Sequence, residues 1–422
     1  MKLTLSPPEG SMGRPATPWT SPEHYWPELT RATEHLDPPV AVLHLGALEH
    51  NAADMVRRAA GKPIRVASKS VRVRGVIDAV LELPGYHGVL AYTLAEALWL
   101  AEPSAARSGI DDVVVGYPTV DRKEIARLGA SAELAGRVTL MIDSVAQLDL
   151  IDHVCPPGKR ESIRVCLELD GSWLAPVLGK LGVWRSPIYT PADARRLAEE
   201  IVQRPGFELV GMMAYEAQIA GVGDAPAGQP VMARVNRWMQ RQSRPEIATR
   251  RGEAVTAVRQ VADLEFVNGG GTGSLESTSA DASVTEIAAG SGLLGGHLFD
   301  NYAGFLPAPA AAFALPIVRK ATADSATMLG GGWIASGVPA ADRLPSLEWP
   351  LGLRYAPREA AGEVQSPVFG TAAAGLVPGD RVWLRHTKSG ELSEHVDRFH
   401  IVDGNKVIGT LPSYRGEGKV FL

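Results

Sequence analysis

Short apolar segments alternate with amphipathic or alanine-rich stretches from Pro39 to about residue 290. This alternation is typical of a parallel sheet in which each strand is followed by a covering helix. Eight segments fit the strand pattern: IRVAS (64–68), GVLAY (88–92), DVVVG (112–116), VTLMI (138–142), IRVCLEL (163–169), LVGMMAY (209–215), EFVNG (265–269) and VTEIAAG (284–290). Eight strand–helix repeats over about 240 residues predict an α/β fold, a (β/α)8 TIM-type barrel. A doubly wound open sheet is the alternative, but no dinucleotide fingerprint follows the first strand.

The pattern changes near Tyr302, where short apolar runs are separated by glycine, proline and charged pairs without a long helical repeat. The sequence DGNK (403–406) is a hairpin signal. We therefore predict three parts: an irregular N-terminal extension that packs on the β domain (1–36), the barrel (37–302) and a β-rich C-terminal domain (303–422). Thr190 and Ser144 are the expected N-caps of two barrel helices.

Composition narrows the classes of partner. Charged residues make up 21% of the 422 positions and the net charge is −5, so no positive field favours nucleic acid or a membrane surface. Only Cys155 and Cys166 are present, which fits two ordinary thiols in a reducing compartment. No segment is long and apolar enough to span a bilayer, and the N-terminus lacks an apolar signal core. We expect a cytoplasmic protein that binds a small polar molecule.

The C-terminal ends of the predicted strands carry polar and glycine-rich sequence. A barrel places these ends at the face where active sites lie. NGGGTG (268–273) follows the seventh strand and GSG (290–292) follows the eighth. Glycines after a strand let backbone N–H groups converge on an anion, and barrels often bind phosphate between their last two strands. A tight turn with positive φ is the structural alternative for the glycine run.

Lys69 ends the first predicted strand, close to the same face. A lysine at a strand end is most often solvated. A desolvated lysine near other cations, however, can attack a carbonyl to form a Schiff base. Together with a phosphate nest, Lys69 predicts pyridoxal 5'-phosphate as the cofactor.

With these segments in place, the chain resembles the fold-type III pyridoxal-phosphate enzymes. Within them it is most similar to the D-threonine aldolase and D-serine dehydratase family, which has an alanine-racemase-like barrel. The resemblance covers roughly residues 40–422 and rests on ALEHN (47–51), VASKS (66–70), LGVWRSP (181–187), GMMAYEAQIAG (211–221), VNGGGTGS (267–274) and TEIAAGSG (285–292). It implies that Lys69, Arg185 and Tyr215 are catalytic and contact the cofactor. It also implies that the cofactor is held by backbone and hydroxyl groups at Gly270, Gly271, Thr272, Gly273, Gly290 and Ser291.

The resemblance further implies a metal pair in the C-terminal domain, which falls on His395 and Asp397. Residues two apart on a strand face the same side and can share one ion, and histidine with a carboxylate suits Mn, Mg or Zn. An exposed, salt-bridged pair is the alternative. His386 and His400 lie nearby as weaker candidates for ligands.

One segment departs from the family pattern. The family's lysine segment commonly carries flanking histidines, whereas this chain reads RVASKSVRVR, with Ser68, Ser70 and Arg72 in that region. The difference indicates a divergent branch.

The function implied by the resemblance is a metal-dependent aldolase that cleaves D-3-hydroxy amino acids, such as D-threonine, to glycine or a related amino acid and an aldehyde. A D-serine dehydratase-type deaminase that releases a keto acid and ammonia is the first alternative. An amino-acid racemase and a non-catalytic pyridoxal-phosphate-binding protein follow. The resemblance also implies a homodimer.

Overall fold

The computed structural model describes residues 1–6, 17–105, 107–388 and 390–422. These residues form two compact units. One contains Met55–Lys69, Pro84–Gly290 and Phe421–Leu422, and the other contains Met1–Asp54, Ser70–Leu83 and Ser291–Val420.

The first unit contains a closed barrel of eight parallel strands, which confirms the predicted fold. In the order in which they occur along the chain, the strands are Ile64–Ala67, Tyr86–Ala91, Val113–Val115, Val138–Ile142, Ile163–Glu168, Phe207–Ala214, Phe266–Gly269 and Glu286–Ala289. Each one overlaps a predicted segment. Closure comes from the pairing of Glu286–Ala289 with both Phe266–Gly269 and Ile64–Ala67.

The barrel strands are mostly apolar because the strands of a parallel sheet are buried on both faces. One cluster of buried side chains links five of them and consists of Val114, Met141, Cys166, Val210, Met213 and Phe266. Gly211 is required for this packing, since a Cβ there would lie 2.2 Å from the Phe266 ring. Both cysteines are buried, as expected of ordinary core thiols.

A buried ion cluster lies among the N-terminal halves of the barrel strands. The Arg65 guanidinium is 1% exposed and binds Glu286 through Nε–Oε1 (2.7 Å) and NH2–Oε2 (2.9 Å). It also binds both carboxylate oxygens of Asp112, each at 2.8 Å. Buried charges are tolerated when they are paired and hydrogen-bonded in this way.

The α-helices of the described residues are short apart from one. They are Pro22–Ala32, Leu45–Ala59, Arg74–Leu81, Leu94–Ala101, Arg122–Gly129, Ala132–Arg137, Val145–Val154, Pro191–Gln203, Ala217–Ala220, Pro230–Arg259, Leu275–Ser279 and Ser291–Leu294. Thr190 caps Pro191–Gln203 in a capping box with Asp193, as predicted. Ser144 occupies the predicted N-cap position of Val145–Val154, but its side chain makes no capping bond. Within the described residues, every helix is too short or too polar to span a membrane.

The second unit contains a nine-stranded mixed sheet. Its strands are Val40–His44, Ala311–Arg319, Ser325–Leu329, Ser346–Trp349, Arg354–Tyr355, Gln365–Phe369, Arg381–Arg385, Arg398–Asp403 and Lys406–Pro412. The predicted hairpin at DGNK is confirmed by the antiparallel pair Asp403 and Lys406, with Gly404 at φ +56°.

Strand Val40–His44 lies in the range predicted for the barrel, but it pairs in the mixed sheet. Its neighbours are Ala311–Arg319, antiparallel, and Arg398–Asp403, parallel. The apolar run VAVLH is buried throughout, and such a run does not reveal which sheet receives it.

The prediction of an irregular N-terminal extension is wrong for residues 22–32, which form a helix. Pro22 occupies its first turn, where proline is tolerated. Tyr25, Trp26 and Leu29 are buried in a core cluster with strand residues of the mixed sheet. The Tyr25 hydroxyl donates to the Pro309 carbonyl at 2.9 Å. High proline and serine content hid the helical spacing of these apolar side chains. Residues 7–16 of the predicted extension lie outside the described residues.

Candidate active site

Lys69 lies at the C-terminal end of the first barrel strand, in the 3-10 turn Ser68–Ser70. The Ser68 hydroxyl donates to the Leu90 carbonyl of the neighbouring strand at 3.1 Å and fixes the start of this turn. The Lys69 Nζ lies 2.9 Å from the hydroxyl of Tyr117, which follows strand Val113–Val115 after one glycine. The lysine therefore ends beside a phenol that no sequence motif had indicated.

The Arg185 side chain lies near the aromatic rings of both Tyr117 and Tyr215. Its guanidinium carbon lies 5.2 Å from the centre of the Tyr117 ring and 5.0 Å from the centre of the Tyr215 ring. A cation at such distances from aromatic faces is held by the ring quadrupoles. Burial raises the pKa of Tyr215 to about 12, so this residue is a neutral phenol near neutral pH. The structure thus brings together the predicted residues Lys69, Arg185 and Tyr215 through Tyr117.

Glu168 places a carboxyl group at the end of another barrel strand. Its side chain is 3% exposed at the end of strand Ile163–Glu168. Burial raises the pKa of Glu168 to about 7; Arg185 opposes the rise, while Asp143 and Asp170 add to it. A carboxyl with this pKa exchanges a proton near neutral pH, which is the property required of a general acid or base.

Gly271 and Gly290, one from each predicted phosphate segment, lie close to the same strand ends. A Cβ at Gly271 would be 3.6 Å from the Tyr215 ring, and a Cβ at Gly290 would be 2.4 Å from the Ala67 carbonyl oxygen. The backbone at Gly290 therefore approaches its neighbour more closely than any other residue allows, whereas a side chain at Gly271 would be in ordinary contact with the Tyr215 ring. Thr272 and Gly273 begin the 3-10 helix Thr272–Ser274, and Ser291 begins the helix Ser291–Leu294.

Gly270 has a different role from the one expected. It adopts φ +75°, and its N–H donates to the Glu216 carboxylate at 3.1 Å. Glu216 also accepts from the Thr278 hydroxyl (2.5 Å) and from Arg251 (3.2 Å). The amide of Gly270 thus has an acceptor inside the protein, and the buried Glu216 carboxylate orders the start of the glycine segment.

The donor set of this barrel fits pyridoxal phosphate. It supplies a lysine amine, a guanidinium, two phenols and a glycine-rich backbone at the C-terminal ends of strands of one barrel. An aldehyde cofactor with a phosphate group needs an amine and amide donors of these kinds.

The predicted metal pair does not lie on a strand, as the prediction assumed. His395 follows the 3-10 helix Leu392–Glu394 in a helical backbone conformation, and the next strand begins at Arg398. Side chains two apart share a face only in extended backbone, so the reasoning from alternation is wrong here. The His395 ring stacks on Trp333 at 4.8 Å, and the Asp397 side chain is 70% exposed, 3.6 Å from Arg415.

The weaker candidates for ligands, His386 and His400, are buried and half-buried, respectively. Burial lowers the pKa of His386 to about 4, and it lowers the pKa of His400 as well. Over the described ranges there is no group of three or more histidine, cysteine, aspartate or glutamate side chains placed to bind a metal.

Residues 43–295 match the family model of the alanine racemase N-terminal domain. The chain is 26% identical over 260 residues to the 3-hydroxy-D-aspartate aldolase of Paracoccus denitrificans, an alignment that covers 60% of this chain and 59% of that protein. The chain thus spans about three fifths of the length of this curated relative.

Two solved structures share the fold. The D-threonine aldolase of Filomicrobium marinum superposes with a TM-score of 0.72 at 19% identity, covering 92% of this chain and 96% of the other. The D-threo-3-hydroxyaspartate dehydratase of Delftia sp. HT23 gives 0.66 at 18% identity, covering 90% and 97%.

Proposed function

Because the chain belongs to the family of the alanine racemase N-terminal domain, the fold-type III pyridoxal-phosphate barrels, we propose that it is an aldolase acting on D-3-hydroxy amino acids. The observation that carries the proposal is the placement of the Lys69 amine, the Arg185 cation and the glycine segment at the strand ends of one barrel. The likeness to an aldolase of 3-hydroxy-D-aspartate supports the substrate class.

The residues of the site would have different roles in the reaction, according to their chemistry. When bound, pyridoxal phosphate supplies an electron sink for the bond that breaks at Cα. Lys69 would hold the cofactor through Nζ and, when free, accept or return a proton there. The Gly271–Gly273 backbone would hold its phosphate. Arg185, which lies against two aromatic rings, would supply a positive charge at the site.

Glu168 and Tyr215 would set the protonation of the site. Glu168 holds a proton up to about pH 7, so it can donate to or accept from a nearby oxygen or nitrogen. Tyr215 stays protonated and acts as a hydrogen-bond donor. No step is assigned to a metal, and the predicted ion at His395 and Asp397 is tested separately below.

The test is product analysis with D- and L-3-hydroxy amino acids after addition of pyridoxal phosphate. An aldolase releases an aldehyde together with an amino acid, and only from the D-substrates. Lys69→Ala should abolish product formation and the visible absorbance of the held cofactor. A chain that neither takes up pyridoxal phosphate nor forms product would refute the proposal.

A dehydratase is the second candidate, because the chain superposes on a solved dehydratase over 90% of its length. It would release a keto acid and ammonia from the same panel without an aldehyde. Racemisation of the substrate without either product would indicate the third alternative.

The divalent metal remains a separate prediction with its own assay. The panel is measured after exhaustive chelation and after addition of Mn, Mg or Zn. If His395 and Asp397 hold the ion, His395→Ala and Asp397→Asn remove the response to added metal. If both variants respond as the unmodified chain does, any metal is bound elsewhere.

A further inference from the structure

Tyr117 is a polar partner that the barrel places at the Lys69 amine. Its hydroxyl lies 2.9 Å from Nζ, and the proposed function above assigns it no role. Two other tyrosines, the buried Tyr25 and the half-buried Tyr355, show the common structural arrangement. Tyr25 and Tyr355 each donate to a backbone carbonyl at 2.9 Å, and burial raises the pKa of both. The Tyr117 hydroxyl instead meets a side chain that carries a proton.

The charged and titratable groups around Tyr117 favour its phenolate. Burial raises the pKa of Tyr117, but the positive charge and hydrogen bond of Lys69, together with Arg185, outweigh burial and bring the pKa below the ordinary value of 10. Glu168 acts in the opposite direction, more weakly. The fourth neighbour, Tyr215, contributes a neutral phenol.

We propose that Tyr117 orients the Lys69 amine and takes the proton that this amine must release before it can act as a nucleophile. In the transfer the Nζ–H bond of the ammonium breaks and an O–H bond forms on the phenolate oxygen. A neutral amine with a free electron pair and a neutral phenol remain. No other reactant is needed, and the reverse transfer restores the ammonium. The catalytic consequence rests on the proposed function, whereas the shared proton does not.

The geometry distinguishes this role from simple packing. The aromatic ring of Tyr117 lies against the Arg185 guanidinium, so a phenylalanine would keep that contact and lose only the hydroxyl. Tyr117→Phe therefore isolates the Lys69–Tyr117 hydrogen bond. Lys69→Met removes the opposite partner at similar size and keeps the phenol.

The decisive measurement is a pH titration of the tyrosinate absorbance of the ligand-free chain, which has nine tyrosines. One tyrosine is expected to ionise below the rest. This early step should disappear in Tyr117→Phe, shift to higher pH in Lys69→Met, and persist in the control Tyr355→Phe. Far-ultraviolet circular dichroism checks that the variants are folded. Identical tyrosinate titration curves for Tyr117→Phe and the unmodified chain would overturn the inference. An early step that stays at the same pH in Lys69→Met would also overturn it.

A second measurement separates this inference from the proposed function. Pyridoxal phosphate is added to the ligand-free chain, and the rate at which Nζ combines with it is followed near neutral pH. Removing a positioned base from such a step slows it by about 10²-fold or more, so Tyr117→Phe should be slower by that order. If the unmodified chain takes up no cofactor while the early tyrosine step behaves as expected, the proposed function fails and the shared proton stands. Equal rates for Tyr117→Phe and the unmodified chain would refute the role of Tyr117 and leave the function intact.

Discussion

Replacing Glu168 by glutamine tests whether the site holds a protonated carboxyl near neutral pH. Glutamine keeps the size and polarity of the side chain but cannot titrate. The pKa of Glu168 is raised from its ordinary 4.5 to about 7, chiefly because the side chain is buried. Between these two values the folded chain holds a proton that the unfolded chain has released.

The magnitude follows from this difference. The folded state binds more protons than the unfolded state between pH 4.5 and about 7, so the free energy of unfolding falls as the pH rises through this window. One pKa unit corresponds to about 1.4 kcal/mol, so the loss amounts to about 3 kcal/mol above the window. Below pH 4.5 both states are protonated and Glu168 contributes nothing to the pH dependence.

The assay compares urea unfolding of the ligand-free chain and of Glu168→Gln at about pH 4 and about pH 8. Titrating groups that do not interact with Glu168 affect both proteins equally, so they cancel in the difference. The variant should gain about 3 kcal/mol relative to the unmodified chain between the two conditions. Glu265→Gln, whose side chain is 55% exposed, is the control and should show no such gain. If the free energy of unfolding depends equally on pH in Glu168→Gln and in the unmodified chain, Glu168 does not bind this extra proton in the folded state.

Two further substitutions, each with a control substitution, test the packing of the barrel by urea unfolding. Arg65→Met leaves the buried Glu286 carboxylate without its main partner and should cost about 3–5 kcal/mol. Arg164→Met breaks a more exposed pair in the same barrel and should cost less than about 1 kcal/mol. Gly290→Ala places a Cβ 2.4 Å from a backbone oxygen and should cost about 1–3 kcal/mol and weaken uptake of pyridoxal phosphate. Gly136→Ala meets no atom within 4 Å in its helix and should be neutral or stabilising. Each substitution should lower the free energy of unfolding more than its control does. Equal losses for Arg65→Met and Arg164→Met, or for Gly290→Ala and Gly136→Ala, would contradict the packing described.

The barrel could be predicted because its physical cause is local. A strand buried on both faces must be apolar along its length, and the eight runs carry that requirement in their own residues. The exact ends of the strands could not be predicted as well. One apolar run predicted a strand at residues 88–92, whereas the strand in the structure is Tyr86–Ala91. The sheet membership of Val40–His44 could not be read, because an apolar strand fits either sheet and its partners lie far away in sequence.

The metal pair shows a different limit of sequence reasoning. The spacing of His395 and Asp397 places both side chains on one face only if the backbone is extended, and no residue type in SEHVD fixes that conformation. The structure has a 3-10 helix just before His395 and a helical backbone at His395 itself, so this condition is not met.

Tyr117 and Glu168 were missed because their chemistry does not belong to their own segments. Tyr117 lies one residue beyond Gly116, the last position of its predicted strand, and its partner Lys69 is 48 residues away along the chain. A phenol next to a glycine and a proline has no unusual property in isolation. Its lowered pKa requires two cations delivered by other strands, and the raised pKa of Glu168 requires burial beside two further carboxylates. Barrel closure supplies both conditions, since it brings strand ends from distant parts of the sequence to one face. A tyrosine or glutamate within one or two residues of a barrel strand end is therefore a candidate proton carrier whenever a neighbouring strand ends in a lysine or arginine.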